Sequence, residues 1–211
     1  MAATIRPIEH SDDDLLRRIR AGDEEAFTTV YRGRQGAIYR FALHMSGSHS
    51  VAEEVTQEVF MTLLDDHCSF DSSRGTLSGY LFGVARNLVW RRLEKERVYV
   101  ALSEEGMLPA PLRRTNGNHH ASLAVPAPDS AREDVIERVR QAVLRLPASY
   151  REVVVLCDLQ EMRYEEAAKI LDCAVGTVRS RLHRARSLLA KKMREARSPE
   201  ERLVAGETAS P

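Results

Sequence analysis

The sequence predicts an all-α protein built from two small helical domains that are joined by a flexible linker. Apolar residues recur at three- and four-residue steps in 11–97 and again in 131–197, and no strand pattern interrupts them. Residues 98–130 contain four prolines and an Asn-Gly-Asn turn, which is typical of a linker. Residues 198–211 are small and polar, so we expect a disordered tail. A length of 211 residues accommodates two domains of about 100 residues each.

Two helices are predicted at the start of the N-terminal domain. Ser11 and Asp14 have the spacing of a capping box, which predicts a first helix after Ser11. Gly22-Asp23 should end that helix and cap a long second helix. Gly47 should end the second helix in turn.

Two further helices complete the predicted N-terminal domain. The third has an apolar stripe and an opposite acidic face, which carries Glu53, Glu54, Gln57 and Glu58. Residues 70–75, with the sequence FDSSRG, predict a loop. Thr76 can cap a fourth helix that runs from Leu77 to about Arg97.

The C-terminal domain ends in a predicted helix-turn-helix. Ser130 should cap its first helix, and Pro147 suits the first turn of the second. Two short helices follow at about 164–171 and 175–195, with small residues where they would cross. Asp172 and Cys173 occupy the turn, where a glycine is common, so the turn needs another backbone route. The alternative to a DNA-binding motif is an αα-hairpin with a basic surface.

The net charge of zero conceals a strong asymmetry along the chain. Residues 1–66 have 7 Lys or Arg against 12 Asp or Glu, whereas residues 74–97 have 6 basic residues against 2 acidic ones. Residues 175–197 have 8 basic residues and one glutamate. The basic segments suit a polyanion such as DNA, and the acidic segment suits a basic protein partner. Ordinary solvated helix faces would give the same counts.

Several function classes are disfavoured by what the sequence lacks. It contains no apolar run of about 18 residues and no secretory signal, so we expect a cytoplasmic protein. The three cysteines have no CxxC spacing, so neither a disulfide framework nor a zinc site is predicted. The seven histidines are scattered, and no nucleophile elbow or phosphate-binding loop is present. We therefore expect no catalysis, no metal and no cofactor.

Five motifs occur in order along the chain: GDEEAF at 22–27, AEEVTQEVFM at 52–61, FDSSRGTLSGYLFGVARN at 70–87, LPASYREVVVL at 146–156 and VGTVRSRLHRAR at 175–186. In this order and spacing they resemble the motifs of bacterial extracytoplasmic-function (group 4) RNA polymerase sigma factors of the sigma-70 superfamily. The resemblance covers 11–97 as sigma region 2 and about 130–195 as sigma region 4. It implies a promoter-specificity subunit that binds core RNA polymerase, melts promoter DNA locally and starts transcription.

The resemblance assigns residues to three binding surfaces. Contacts to the β′ clamp coiled coil of the polymerase would come from Glu53, Glu54, Gln57, Glu58 and Met61. Contacts to the −10 element would come from Phe70, Asp71, Ser72, Arg74, Gly75, Tyr80, Arg86, Asn87, Arg91, Arg92 and Lys95. Contacts to the −35 element would come from Thr177, Arg179, Ser180, Arg181, His183, Arg184 and Arg186, with Lys191 and Lys192 on the DNA backbone. The polymerase β flap would hold region 4.

Some residues and partners stay open at this point. Tyr80, Phe82 and Trp90 are aromatic residues at helical spacing, which lie in a protein core more often than on a binding surface. Gly83 and Val84 stand where housekeeping sigma factors have a tandem tryptophan wedge, which implies weaker general melting. An anti-sigma factor is the expected regulator. The rival hypothesis is a stand-alone regulator that binds duplex DNA without polymerase.

Overall fold

The structure is a computed structural model that describes residues 11–65, 68, 70–104 and 130–195. Side chains are described throughout these ranges except for 96–104, 130–134 and 195. The predicted tail at 198–211 and most of the predicted linker lie outside the described residues. Within them every regular element is helical, as predicted. None of the helices described combines the length and apolar character needed to cross a bilayer.

The helices fall into an N-terminal module, residues 11–104, and a C-terminal module, residues 130–195. The N-terminal module contains α1 (Asp12–Arg20), α2 (Glu24–Ser46), α3 (His49–Met61) and α4 (Leu77–Glu104). The C-terminal module contains α5 (Ser130–Leu144), α6 (Ala148–Val154), a π-helical segment (Val155–Leu159), α7 (Tyr164–Ile170) and α8 (Val175–Glu195).

The predicted caps delimit the first helices. The Ser11 hydroxyl accepts a hydrogen bond from the Asp14 amide at 3.2 Å, which satisfies an otherwise unpaired N–H at the start of α1. Asp23 caps α2 by accepting from the backbone N–H groups of residues 25 and 26. Gly47 ends α2 with a φ of 76°, a left-handed conformation that favours glycine.

An aliphatic and aromatic core holds the N-terminal module together. α2 packs against α3 and α4, and the rings of Phe41 and Phe82 meet edge to face at 5.4 Å. Both rings are buried, so Phe82 belongs to the core and not to a binding surface. Leu63 follows the end of α3 but is also buried, so the chain keeps its apolar contact through the turn.

The start of α4 is fixed by two caps, one predicted and one not. Thr76 Oγ1 accepts from the Gly79 amide at 3.0 Å, as the sequence indicates. The carboxylate of Asp12, on α1, accepts from the Leu77 amide at 3.0 Å. α4 then continues past Arg97 to the end of its range, so its last two turns extend into the segment predicted as linker.

The C-terminal module follows the prediction with one local exception. Pro147 lies at the N-cap position of α6, just before the first helical residue. Beyond Val154 the helix widens into a π-helical segment, which the apolar spacing does not reveal. Val153 and Leu156 are buried on either side of that change, so it does not interrupt the core.

The turn of the helix-turn-helix is made without glycine. Asp172 adopts a φ of 49°, in the left-handed region, and so supplies the backbone route that Gly usually provides. The amide of Cys173 then donates to the Ala168 carbonyl at 3.0 Å. Val178, Leu182 and Ala185 of α8 point inward and are buried, as the spacing predicts.

The two modules pack against each other and share one continuous core. Helices α2 and α4 contact α5, the π-helical segment and α7 of the C-terminal module. Arg151 donates to the Met45 carbonyl at 2.7 Å, which ties α6 to the end of α2. Nothing in the sequence predicts this contact, because spacing along one segment does not record how distant helices pack.

The strained turn gives a test of the helix-turn-helix geometry. We expect Asp172→Gly to stabilise the protein by about 0.5–1 kcal/mol, since glycine adopts a positive φ without a Cβ penalty. Asp172→Val should destabilise it, because a β-branched residue is strained there. Urea denaturation followed by circular dichroism measures both. Equal stability of the two variants would contradict the left-handed turn.

Candidate nucleic-acid and protein-binding surfaces

The predicted acidic face of α3 lies on the outside of the molecule. Glu53, Glu54 and Gln57 are exposed, Glu58 is half-exposed, and the Met61 side chain is 55% exposed. The Met61 side chain is therefore accessible to a protein partner at the end of this face. A cavity of about 510 Å³ lies next to it, between α2 and α3, and is lined by Phe27, Tyr31, Tyr39 and Phe60.

Two of these glutamates are paired with arginines of α4. Arg92 approaches Glu58 at 2.6 Å and Glu54 at 3.5 Å, and its side chain is 23% exposed. Arg91 is 3.6 Å from Glu58 and is 67% exposed. The acidic face and the basic helix are therefore neighbours. Arg92, predicted as a DNA contact, holds α4 against α3 in this structure.

The FDSSRG loop is braced by its own aspartate. The Asp71 carboxylate accepts from the Ser73 amide at 2.9 Å, and the Asp71 carbonyl accepts from the Arg74 amide at 3.0 Å. The Ser73 hydrogen bonds lower the pKa of Asp71. With the carboxylate turned inward to the backbone, the side chains of Ser72 and Arg74 remain exposed.

Aromatic rings and small residues form a hollow behind the loop. Phe70 and Tyr80 meet edge to face with 5.7 Å between ring centroids, and both are half-buried. They line a cavity of about 960 Å³ together with Gly83 and Val84 of α4. A Cβ added to Gly83 would meet no atom within 4 Å, so the helix leaves open space at this point. The opposite wall of the cavity comes from α7.

The basic face of α4 is divided between solvent and the C-terminal module. Asn87, Arg91 and Lys95 are exposed. Arg86 instead donates from Nε to the Glu152 carboxylate of α6 at 2.6 Å. Glu152 was not predicted as a site residue, although a lone carboxylate in the apolar run REVVVL is a signal for a buried polar contact.

The outward face of α8 carries most of its predicted DNA contacts. Arg179, Ser180, His183 and Arg184 are exposed, whereas Thr177 and Arg181 are half-buried. The Arg179 guanidinium carbon lies 6.0 Å from the centroid of the Tyr164 ring, which steers the side chain without burying it. α8 thus presents a basic, solvent-facing surface of the kind that enters a DNA groove.

Arg186 differs from the other arginines of α8. It makes two hydrogen bonds to Asp158 of the π-helical segment, at 2.6 and 3.1 Å, and these raise its pKa. Burial raises the pKa of the neighbouring Cys157 to about 11, so that thiol is protonated at neutral pH. Within the described ranges, no three His, Cys, Asp or Glu side chains are arranged to hold a metal ion.

Known proteins share both modules. The Sigma-70 region 2 family matches residues 30–98, and the Sigma-70, region 4 family matches residues 136–189. The ECF RNA polymerase sigma factor SigW of Bacillus subtilis is 31% identical over 186 residues, which cover 85% of this chain and 95% of SigW. The ECF RNA polymerase sigma-E factor of Escherichia coli is 30% identical over 189 residues, which cover 87% of this chain and 94% of that protein.

One solved complex has a similar fold at a comparable identity. It contains the sigma factor RpoE bound to the anti-sigma factor NepR, from Bartonella quintana. The chain matches it with a TM-score of 0.60 and 26% identity, over 81% of this chain and 98% of that one.

The glutamate–arginine contacts between α3 and α4 predict unequal effects for two adjacent arginines. Arg92→Ala should destabilise the protein by about 1 kcal/mol, since a mostly buried guanidinium loses two carboxylate partners. Arg91→Ala is the matched control and should change the stability by no more than about 0.3 kcal/mol, because that pair is exposed. Urea denaturation compares them. A larger loss for Arg91→Ala would contradict the assigned pairing.

Proposed function

The chain belongs to the extracytoplasmic-function group of sigma-70 RNA polymerase sigma factors, and from this we infer that it binds core polymerase and directs it to promoters. The observation that carries the inference is the presence, in one chain, of an exposed acidic helix face and two separate basic surfaces. One basic surface surrounds the FDSSRG loop and α4, and the other is the outer face of α8. The polymerase performs the chemistry of RNA synthesis, and this chain positions the polymerase at the promoter.

We propose that α3 docks on the β′ clamp coiled coil. The exposed carboxylates of α3 complement a basic helical partner, and Met61 adds an apolar contact at the end of the same face. The adjoining groove between α2 and α3 gives an apolar side chain of the partner a place to insert. Glu53 and Gln57 suit this role best, because Glu54 and Glu58 already have arginine partners.

The loop at 70–75 and the exposed side of α4 are proposed to read the −10 element. A base that leaves the stack needs an apolar or aromatic surface and polar groups at its edges. Phe70 and Tyr80 offer that surface, and Asp71 holds the loop in shape around it. Arg74, Asn87 and Lys95 are exposed to receive the strand backbone. Arg86 could contact the strand backbone only after the two modules separate.

DNA opening is proposed to depend on base capture more than on a wedge. Gly83 and Val84 expose little side chain where a tandem tryptophan would stand in a housekeeping factor, and the space beside Gly83 is open. Without a wedge, the energy of strand separation has to come from contacts to the captured bases. This supports strong dependence on promoter sequence.

The outer face of α8 is proposed to contact the −35 element. Arg179, Ser180, His183 and Arg184 are the side chains best placed to reach base edges, since all four are exposed. Arg181, Lys191 and Lys192 would contact phosphates. Arg186 would act through its pairing with Asp158, which fixes α8 to the π-helical segment.

The two proposed DNA-binding surfaces belong to one chain and so bind the promoter together. Each surface is small, and a tether converts the second contact into an intramolecular one with a raised effective concentration. Residues 105–129, which connect the modules, lie outside the described residues. We propose that the β flap holds the C-terminal module at the −35 element. Control by an anti-sigma factor is proposed because the similar RpoE was solved with one.

Reconstituted transcription tests the function directly. Purified chain and core polymerase should together produce a discrete run-off transcript, and the chain alone should produce none. Sequencing transcript 5′ ends would then identify the promoter. If no promoter is used while the chain alone shifts duplex DNA, the stand-alone regulator is correct and the sigma-factor proposal is wrong.

A charge reversal tests the docking face. Glu53→Lys should weaken binding to core polymerase by about tenfold or more, because a cation replaces an exposed carboxylate facing a basic partner. Glu24→Lys, at an exposed acidic position on α2, is the matched control and should bind normally. Competition for core polymerase against unmodified chain measures both. Normal affinity of a folded Glu53→Lys variant would contradict the docking assignment.

An alanine substitution in α8 tests the −35 surface. Arg184→Ala should lower holoenzyme affinity for the promoter by about 5- to 100-fold if the guanidinium pairs with a guanine. Nothing among the described residues pairs with Arg184, so its loss should leave stability unchanged. Arg32→Ala, an exposed arginine of α2, is the control. If holoenzyme with Arg184→Ala binds the promoter as tightly as holoenzyme with the unmodified chain, Arg184 does not belong to the interface.

A further inference from the structure

The surface of α4 that faces the C-terminal module holds a buried carboxylate of α6 through two hydrogen bonds. Glu152 is 5% exposed, and its Oε1 atom accepts from Arg86 Nε at 2.6 Å and from Trp90 Nε1 at 2.7 Å. A carboxylate removed from water is costly unless hydrogen-bond donors replace the lost solvent. Here both donors come from the other module, so the carboxylate keeps these protein partners only while the modules stay together.

A second group of contacts brings α7 over the FDSSRG loop. Lys169 Nζ donates to the Arg74 carbonyl at 3.0 Å, and the Thr76 hydroxyl donates to the Glu166 carboxylate. A Cβ placed on Gly79 would lie 3.0 Å from a Glu166 carboxylate oxygen, so the two helices approach closely at this point. α7 therefore covers one side of the cavity in which the base would be captured.

These contacts cover part of the proposed −10 surface and leave the proposed −35 surface on α8 exposed. On the −10 side Arg86 is paired with Glu152 and only 26% exposed, whereas Arg179 and Arg184 on the outer face of α8 are exposed. The acidic face of α3 is exposed as well. The closed arrangement thus permits docking on polymerase while it obstructs the −10 surface.

We propose that this surface of α4 has two alternative occupants, the C-terminal module in the unbound chain and the −10 strand in the transcribing complex, and that Glu152 is the latch between them. The carboxylate takes the place that a backbone phosphate would take at Arg86. The inference rests on the proposed function, because only that function assigns Arg86 to promoter DNA. In the unbound chain the apparent affinity for the strand is reduced by the fraction of open molecules.

Trp90 supplies a native probe of the latch, since it is the only tryptophan in the chain. Glu152→Gln keeps the size of the side chain but removes its charge. We expect this variant to show red-shifted tryptophan emission and steeper quenching by acrylamide than the unmodified chain. Glu137→Gln, which removes one negative charge from α5 of the same module, is the matched control and should leave both signals unchanged. Circular dichroism checks that both variants are folded.

DNA binding gives the second measurement. The probe is a fluorescein-labelled single strand carrying the non-template −10 sequence of a promoter mapped from the holoenzyme's own transcripts. Glu152→Gln should bind it about fivefold more tightly than the unmodified chain or Glu137→Gln, because a charge-assisted contact no longer competes. In holoenzyme, once the modules have separated, all three chains should give equal run-off transcription.

Each failure points to a different error. If Glu152→Gln matches the control in both quenching and strand affinity, the latch is wrong. A variant that opens by quenching but transcribes poorly in holoenzyme would show that Glu152 is structural and not a latch. If the unmodified chain with core polymerase makes no promoter-specific transcript, the proposed function itself is wrong, whatever the quenching shows.

Discussion

A buried contact of Glu152 with Arg86 and Trp90 links the two halves of this protein. It joins α6 to the middle of α4, and the apolar core continues across the same boundary. Because the carboxylate is buried and has its donors on the other module, separation of the modules must expose it to water or give it new partners. Further polar contacts cross the same boundary, from Arg151 to the Met45 carbonyl and from Lys169 to the Arg74 carbonyl, so the proposed opening of the −10 surface has to break these as well.

Helix α4 joins the proposed −10 surface to the acidic face of α3 and to the C-terminal module. Its apolar side, which includes Leu81 and Ala85, is buried in the N-terminal core. A second side reaches the glutamates of α3 through Arg92, and a third meets the C-terminal module through Arg86. A basic partner that binds Glu58 would compete with Arg92 for that carboxylate and so act on α4. Under the proposed function, this contact would couple docking on polymerase to promoter recognition.

Local features of the fold could be predicted from the sequence, and contacts between distant segments could not. The caps at Ser11, Asp23 and Thr76 and the inward stripe of α8 follow from neighbouring residues, so spacing was sufficient to find them. The pairs Arg92–Glu58 and Arg186–Asp158 depend on how helices pack, and charge patterns along one helix do not record this. The closed packing of the modules was missed for the same reason. The assignment of residues to polymerase and DNA stays a prediction.

The most direct measurement is the distance between the modules before and after polymerase binding. Spin labels at the exposed positions Arg32 and Ala190, in a variant with its three cysteines replaced, would report it by double electron–electron resonance. The unbound chain should give one narrow, short distance, and core polymerase should replace it with a longer one. A broad distribution in the unbound chain, or the same short distance on polymerase, would contradict the exchange of occupants on α4.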